Sequence, residues 1–119
     1  MATEERINPN TMKFSQVRRY AMSLPEVTEE PHFNCASFRV RGKIFATVPP
    51  DDEHLHVFIA EREPALAMFP EFIEKLYWGA KVVGLSISLT HAKPKLVNTL
   101  LLQAWQKKAP KSALKSAPM

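Results

Sequence analysis

Residues 36–48 read ASFRVRGKIFATV, and this stretch decides the fold. Apolar side chains alternate with other side chains before and after Arg41-Gly42, a pattern typical of two antiparallel strands joined by a tight turn. We predict a three-residue loop with Gly42 in the left-handed conformation, because that loop best separates the two faces. The first face then carries Phe38, Ile44, Ala46 and Val48, and the second carries Arg39, Lys43, Phe45 and Thr47.

The elements on either side of this hairpin follow from the spacing of apolar residues and from proline. Upstream, the spacing predicts a helix that Thr11 caps and Pro25 ends, then an extended connection over residues 26–34 that contains Pro31. Downstream it predicts a strand over 54–59, a short helix over 61–69, strands over 72–78 and 81–89, and a helix over 92–109. We therefore expect an α+β fold in which an antiparallel sheet carries both long helices on one face.

The composition fits one small globular domain. The chain has 119 residues, 45% hydrophobic and 24% charged, which excludes a collagen, a disordered acidic tail, a disulfide scaffold and a multi-domain enzyme. We expect a flexible arm over residues 1–10, the domain over 11–109 and a flexible, lysine-containing tail over 110–119. Cys35 is the single cysteine, the first residues are polar and no apolar run is long enough to cross a membrane, so we expect a cytoplasmic protein.

The net charge of +4 is unevenly distributed along the chain. All twelve acidic residues lie between Glu4 and Glu74, where eight basic residues leave a net charge of −4. Residues 75–119 carry eight lysines and no acid. Such a basic segment is typical of proteins that bind nucleic acid, although lysines also serve solubility alone.

Several segments occur in an order that resembles a family of small bacterial proteins. They are Leu24-Pro25 at the end of the first helix, TEEPHF at residues 28–33, FRVRGKIFAT at residues 38–47, Trp78-Gly79 and Ala104-Trp105. From residue 12 to about residue 107 the chain is similar to the MmcQ/YjbR family. This resemblance implies a CyaY-like (frataxin-like) α+β fold and a proposed "double-wing" role in DNA binding.

Three departures from the family pattern limit what can be carried over. Many members have a glycine pair where this chain has Arg41-Gly42, which adds a cation at the turn. Some members carry a His-Trp-polar-Thr segment where residues 77–80 of this chain are Tyr-Trp-Gly-Ala. Residues 12–23 contain no carboxylate, so the iron binding of frataxin-type proteins is not implied here.

The first functional hypothesis is phosphate-led DNA binding of low sequence specificity by a non-enzymatic protein. Phosphate binding needs cations on one surface. The second face of the hairpin provides Arg39 and Lys43, with Arg41 at the turn and Phe45 available for stacking. The later cations that we assign to this surface are Lys81, Lys93 and Lys95, with further charge from Lys107, Lys108, Lys111 and Lys115. The alternative is that these charges only keep the protein soluble.

The competing hypothesis is a small-molecule-binding or protein-interaction module with a pocket near His32 and Trp78. Glu30 stands close to His32 in a proline-stiffened segment, a placement that suits proton transfer but equally suits a packing corner. The size of Trp78 and Trp105 favours core anchors. The histidines match no compact zinc motif and Cys35 has no CxxC partner, so we expect no metal, no cofactor and no catalytic residue. Clustered cations on one face would favour nucleic acid, and a closed apolar pocket would favour a ligand.

Overall fold

The computed structural model describes residues 12–59 and 62–115, so the predicted arm over residues 1–10 and the predicted cap Thr11 lie outside the described residues. The strands form one antiparallel sheet in the order β1-β2-β3-β4-β6-β5. In chain order the elements are α1 (Phe14–Ser23), β1 (Val27–His32), β2 (Cys35–Val40), β3 (Lys43–Val48), β4 (His54–Val57), α2 (Glu63–Met68), β5 (Ile73–Trp78), β6 (Lys81–Ser88), α3 (Pro94–Lys108) and α4 (Lys111–Leu114).

The helices α1 and α3 pack against each other and against the sheet. Phe14 of α1 meets Phe38 of β2 edge to face, with ring centroids 6.5 Å apart, so the helices cover the face that carries Phe38. By register the same face carries Ala46, Val57 and Leu85, all fully buried. The prediction of an α+β fold with both long helices on one face of an antiparallel sheet is confirmed.

Each long helix buries one apolar stripe. In α1 the buried positions Val17 and Ala21 are one turn apart, and in α3 the buried residues recur every three or four positions after Pro94 at the first turn. Trp105 of α3 is fully buried, and its Nε1 donates a hydrogen bond to the carbonyl oxygen of Pro25 at 3.1 Å. This bond fixes the C-terminal half of α3 to the corner between α1 and β1.

Residues 27–32 form the edge strand β1, whereas the sequence predicts only an extended connection there. The segment pairs with β2 from Val27 opposite Val40 to His32 opposite Cys35. Pro31 lacks an N–H, but it does not prevent this pairing. The outer side of an edge strand has no partner strand, so a missing N–H on that side removes no hydrogen bond from the sheet. The chain then reverses at Phe33, whose φ is +59°.

The turn of the central hairpin differs from the predicted three-residue loop. Arg41 and Gly42 form a two-residue loop with φ values of +52° and +81°, the two positive values of a type I′ turn. A register shift follows, because Arg39 pairs with Ile44 while Phe38 pairs with Ala46, which leaves Phe45 as the extra residue of a β-bulge. The predicted faces are therefore wrong at three positions: Ile44 shares the face of Arg39, Lys43 pairs with Val40 on the opposite face, and Phe45 is fully buried.

Two hairpin turns and the end of α3 lie together at one end of the sheet. Both β3 and β6 pair antiparallel with β4, so they run in the same direction and begin at the same end. That end carries the turn at Arg41–Gly42 and the turn at Gly79–Ala80. Arg41 Nη2 also lies 3.4 Å from the hydroxyl of Ser112, just beyond α3. We call these two turns and the C-terminal end of α3 the turn end.

The C-terminal segment is more ordered at its start than predicted. Residues 111–114 form α4, and Ala113 is buried in the core. The packed part of the chain thus extends past the predicted domain end at residue 109, and residues 116–119 of the predicted tail lie outside the described residues. Within the described part of the chain, no helix is long and apolar enough to span a bilayer.

Candidate nucleic-acid interface

Two arginines of the predicted hairpin surface are compensated by nearby carboxylates. Arg41 forms an ion pair with Glu26, and the hydrogen bond and charge of Glu26 raise the pKa of the Arg41 guanidinium. Arg39 lies 3.9 Å from a carboxylate oxygen of Glu30, and its Nε donates to Ser37 Oγ at 3.1 Å. Each of these arginines therefore has a carboxylate close to it, which weakens the electrostatic attraction between this surface and phosphate.

The other residues of the predicted DNA-binding surface do not lie together either. They are Lys43, Phe45, Lys81, Lys93 and Lys95. Phe45 is fully buried, so its predicted role as a stacking residue is wrong. Lys93 caps the N-terminus of α3 and Lys95 lies in its first turn, about 20 Å from the turn end along a helix of 15 residues. Of Lys43, Lys81, Lys93 and Lys95, only the first two lie at the turn end.

A groove of about 670 Å³ opens at the turn end. The short strand β4 pairs with β3 at two positions and ends at Val57. The next residue, Phe58, still donates a backbone hydrogen bond to the carbonyl oxygen of Phe45 at 3.0 Å. Phe58 and Ile59 line the groove together with residues of β3 and β6. The lining residues are His32, Ile44, Thr47, His56, Phe58, Ile59, Arg62, Leu76, Tyr77, Trp78, Lys81, Val82, Val83, Lys107 and Lys108.

The charged side chains in the described lining of the groove are all positive. Its described lining includes four cations and no aspartate or glutamate; the cations are Arg62, Lys81, Lys107 and Lys108. Arg62 is oriented by a hydrogen bond from Nη1 to the carbonyl oxygen of Ile59 at 2.8 Å. In the described ranges none of the four forms an ion pair within 4.0 Å. A concave surface with uncompensated cations concentrates anions.

Two aromatic side chains at the end of β5 complete the groove. Trp78 is 81% exposed and Tyr77 is 57% exposed, whereas Trp105 is fully buried. The size of Trp78 predicted a core anchor; that interpretation holds for Trp105 and is wrong for Trp78. Trp78 is the cross-strand partner of Lys81 across a turn in which Gly79 has a φ of +63°, at the position where type II′ turns use glycine.

The residues of the predicted pocket are only partly brought together. His32 and Trp78 line the same groove, as the competing hypothesis expects. Glu30 does not: its carboxylate lies near Arg39 and Thr28, and it borders a separate shallow depression with Phe33. Among the described residues, the carboxylate of Glu30 therefore contacts Thr28 and Arg39, and no hydrogen bond joins it to His32.

The remaining histidines and the cysteine form no metal site among the residues that the structure describes. His54 Nδ1 lies 2.8 Å from the carboxylate of Asp51. His91 Nδ1 lies 3.2 Å from the hydroxyl of Thr90. Cys35 is half-buried beside Asn34.

His56 is the groove residue whose titration is most affected by its surroundings. It is half-buried, and its cross-strand neighbours are Thr47 and Ser86. Burial lowers the pKa of His56, the charge of His54 lowers it further, and Asp51 opposes the change. The neutral imidazole is therefore favoured in the folded protein.

We expect the free energy of unfolding to decrease as the pH falls below about 6.5, partly because of His56. The unfolded chain takes up a proton on His56 near that pH, whereas the folded chain does so only at a lower pH. His56→Gln should remove this contribution and flatten the stability profile between about pH 7 and pH 5. Urea denaturation across that range measures the effect. The same change at the exposed His91 is the control, and an equal flattening there would contradict the role of His56.

The comparisons with known proteins concern the whole domain that carries this groove. The sequence model of the YjbR family matches residues 22–107. The chain belongs to the YjbR family. This YjbR-family protein is also similar to the crystal structure of the Deinococcus radiodurans protein DR2400, which carries the domain DUF419, with a TM-score of 0.71 and 19% sequence identity over 92% of this chain and 89% of that chain. The likeness supports the fold alone, and no curated protein matched the sequence.

Sequence reasoning missed most of the groove of this YjbR-family protein. Tyr77 and Trp78 are adjacent in a strand, so their side chains alternate and both cannot lie on the same buried face. That signal was present in the sequence. The sequence shows that Lys107 and Lys108 add positive charge, but it does not show where in the fold they lie. Nothing in the sequence indicates that Arg62 lines the same groove.

Proposed function

We propose that this YjbR-family protein binds DNA through the turn end, as a non-enzymatic protein with phosphate-led contacts and low sequence specificity. The observation that carries the proposal is the groove between the two hairpins, whose lining among the described residues includes four cations and no aspartate or glutamate. Cations that lie together and lack partners release DNA counterions on binding, which supplies much of the affinity.

The location of the proposed surface differs from that expected from the sequence. Arg39 and Arg41 are turned toward Glu30 and Glu26, so they support the hairpin more than they bind phosphate. The α3 helix contributes through the lysines of its last turn, because its apolar stripe is committed to the core. Contacts from hairpin turns and helix ends suit the DNA backbone rather than base edges, which accounts for low sequence specificity.

A second candidate function is the binding of a small anionic ligand. The groove volume of about 670 Å³ lies within the range of small-molecule sites. Apolar side chains such as Ile44, Leu76 and Val82 line it together with His32 and His56. A small ligand and a DNA strand are distinguished by the salt dependence of binding, which is steep only when several phosphates are contacted.

Neutralising the lysines at the turn end should weaken DNA binding much more than neutralising those at the other end of the same helix. The test pair is Lys107→Gln with Lys108→Gln, and the control pair is Lys93→Gln with Lys95→Gln. Both double variants remove two charges from α3. We expect the test pair to lower affinity for a short duplex roughly 10-fold or more at about 50 mM salt and to reduce the slope of log K against log salt by about 2.

The outcome is measured by fluorescence anisotropy with a labelled duplex at several salt concentrations. Equal losses in the two double variants would show that total charge, and not the turn end, determines binding. Absence of any binding by the unmodified protein at about 50 mM salt would refute the proposed function.

A further inference from the structure

The side chain of Trp78 is exposed at the turn end. It ends β5 directly before the Gly79 turn, and 81% of it is exposed to solvent. A buried indole contributes strongly to stability, as Trp105 does in this fold, so leaving one in solvent forgoes that gain. The ring lies at the edge of a positively charged groove, and Tyr77 beside it is also exposed.

Cations lie next to this ring. Lys81 is the cross-strand partner of Trp78, and directly paired residues have Cβ atoms about 5 Å apart. Lys107 and Lys108 line the same groove. An aromatic surface flanked by cations is the combination that single-stranded nucleic acids require: the ring stacks on a base and the cations hold the adjacent phosphates.

The size of the groove favours an unpaired nucleotide over a base pair. In a duplex both faces of each base are covered by neighbouring base pairs, so a side-chain ring can stack only on a base that is unstacked. A groove of about 670 Å³ holds a ligand of small-molecule size and not a double helix. We infer that the groove binds unpaired nucleotides of single-stranded DNA, with a base stacked on Trp78 and phosphates on Lys81 and Lys107. This inference rests on the proposed function and specifies the form of DNA.

The test compares three probes: a dT oligonucleotide of about 12 nucleotides, a blunt duplex of the same length and thymidine monophosphate. We expect the unmodified protein to bind the oligonucleotide at least about 10-fold more tightly than the duplex. Trp78→Ala should lower affinity for the oligonucleotide about 10-fold and change duplex affinity less than about 2-fold, because only the stacking contact is lost. The salt dependence should stay the same, because no phosphate contact is removed.

The control is Phe33→Ala, which removes another highly exposed aromatic side chain, 91% exposed, from outside the groove. It should leave both affinities unchanged. Trp78→Phe keeps an aromatic face and should restore a large part of the oligonucleotide affinity. Because Trp78 and Phe33 are both exposed, none of these changes should alter the urea midpoint, so a loss of binding reports the site and not the fold.

Each outcome separates this inference from the proposed function. Equal binding of oligonucleotide and duplex, with no effect of Trp78→Ala on either, would overturn the single-strand inference and leave DNA binding in place. Thymidine monophosphate binding as tightly as the oligonucleotide would show that the groove takes a free nucleotide, which also overturns the inference for a strand. Absence of binding to oligonucleotide and duplex alike at about 50 mM salt would refute both.

Discussion

Replacing Gly84 with alanine should destabilise the protein by about 3 kcal/mol or more, because the added methyl group has no space. A Cβ at this position would lie 1.9 Å from the carbonyl oxygen of Val57 and 3.0 Å from Cα of Phe58. Both are backbone atoms, so no side-chain rotation relieves the clash. The β4–β6 pairing at Val57 and Leu85 would have to open. The close approach is also what brings β6 against the segment that lines the groove.

The sign of this effect is informative, because alanine normally stabilises the interior of a strand relative to glycine by roughly 0.5–1 kcal/mol. Urea denaturation followed by far-UV circular dichroism measures the loss. Ser86→Ala is the control, since it lies two residues along the same strand and is half-buried. A Gly84→Ala variant as stable as the unmodified protein would show that β6 does not approach Val57 so closely.

The order of the elements could be predicted because periodicity and proline report local structure directly. Alternation around Arg41-Gly42 predicted the central hairpin, and the three-to-four spacing after Pro94 predicted α3. The error over residues 27–32 has a clear physical cause. Pro31 predicts a break in pairing, whereas a proline in an edge strand removes no hydrogen bond from the ladder.

The exact register of the central hairpin could not be predicted from apolar alternation alone. In a regular ladder, a two-residue loop would place apolar and polar side chains on the same face of the hairpin. The sequence alone therefore favours the three-residue loop. The protein uses the two-residue loop and corrects the register with a bulge at Phe45. Local alternation cannot distinguish the two solutions, because both bury most of the same side chains.

The candidate site was harder to predict, because the attraction of a cation for phosphate depends on whether a carboxylate lies beside that cation. The sequence predicts Arg39 and Arg41 as free cations. Once β1 pairs with β2, however, Glu30 of β1 and Glu26 directly before β1 lie beside them. The separation of Lys93 from the turn end, in contrast, followed from the length of the predicted helix and could have been recognised. The sequence therefore predicts well where a residue lies along its own helix or strand. It predicts poorly which side chains of different elements form ion pairs.

Trp105 links the core to the proposed binding surface, and Trp105→Ala should cost about 3–5 kcal/mol of stability. The side chain is fully buried, so its removal leaves a large cavity between α3 and the sheet. It also removes the hydrogen bond to the carbonyl oxygen of Pro25. Since Lys107 and Lys108 follow Trp105 within three residues in α3, a loosened helix end should also weaken DNA binding.

Trp105→Phe separates the two contributions, because it keeps most of the apolar volume and loses the donor to Pro25. We expect a smaller loss of roughly 1–3 kcal/mol, measured by urea denaturation with far-UV circular dichroism. Trp78→Ala is the matched control for removing a tryptophan, and its urea midpoint should not change because Trp78 is largely exposed. If Trp105→Ala and Trp78→Ala had equal midpoints, the two tryptophans would not differ in burial. The division between Trp105 as the anchor of α3 and Trp78 as the stacking surface would then be wrong.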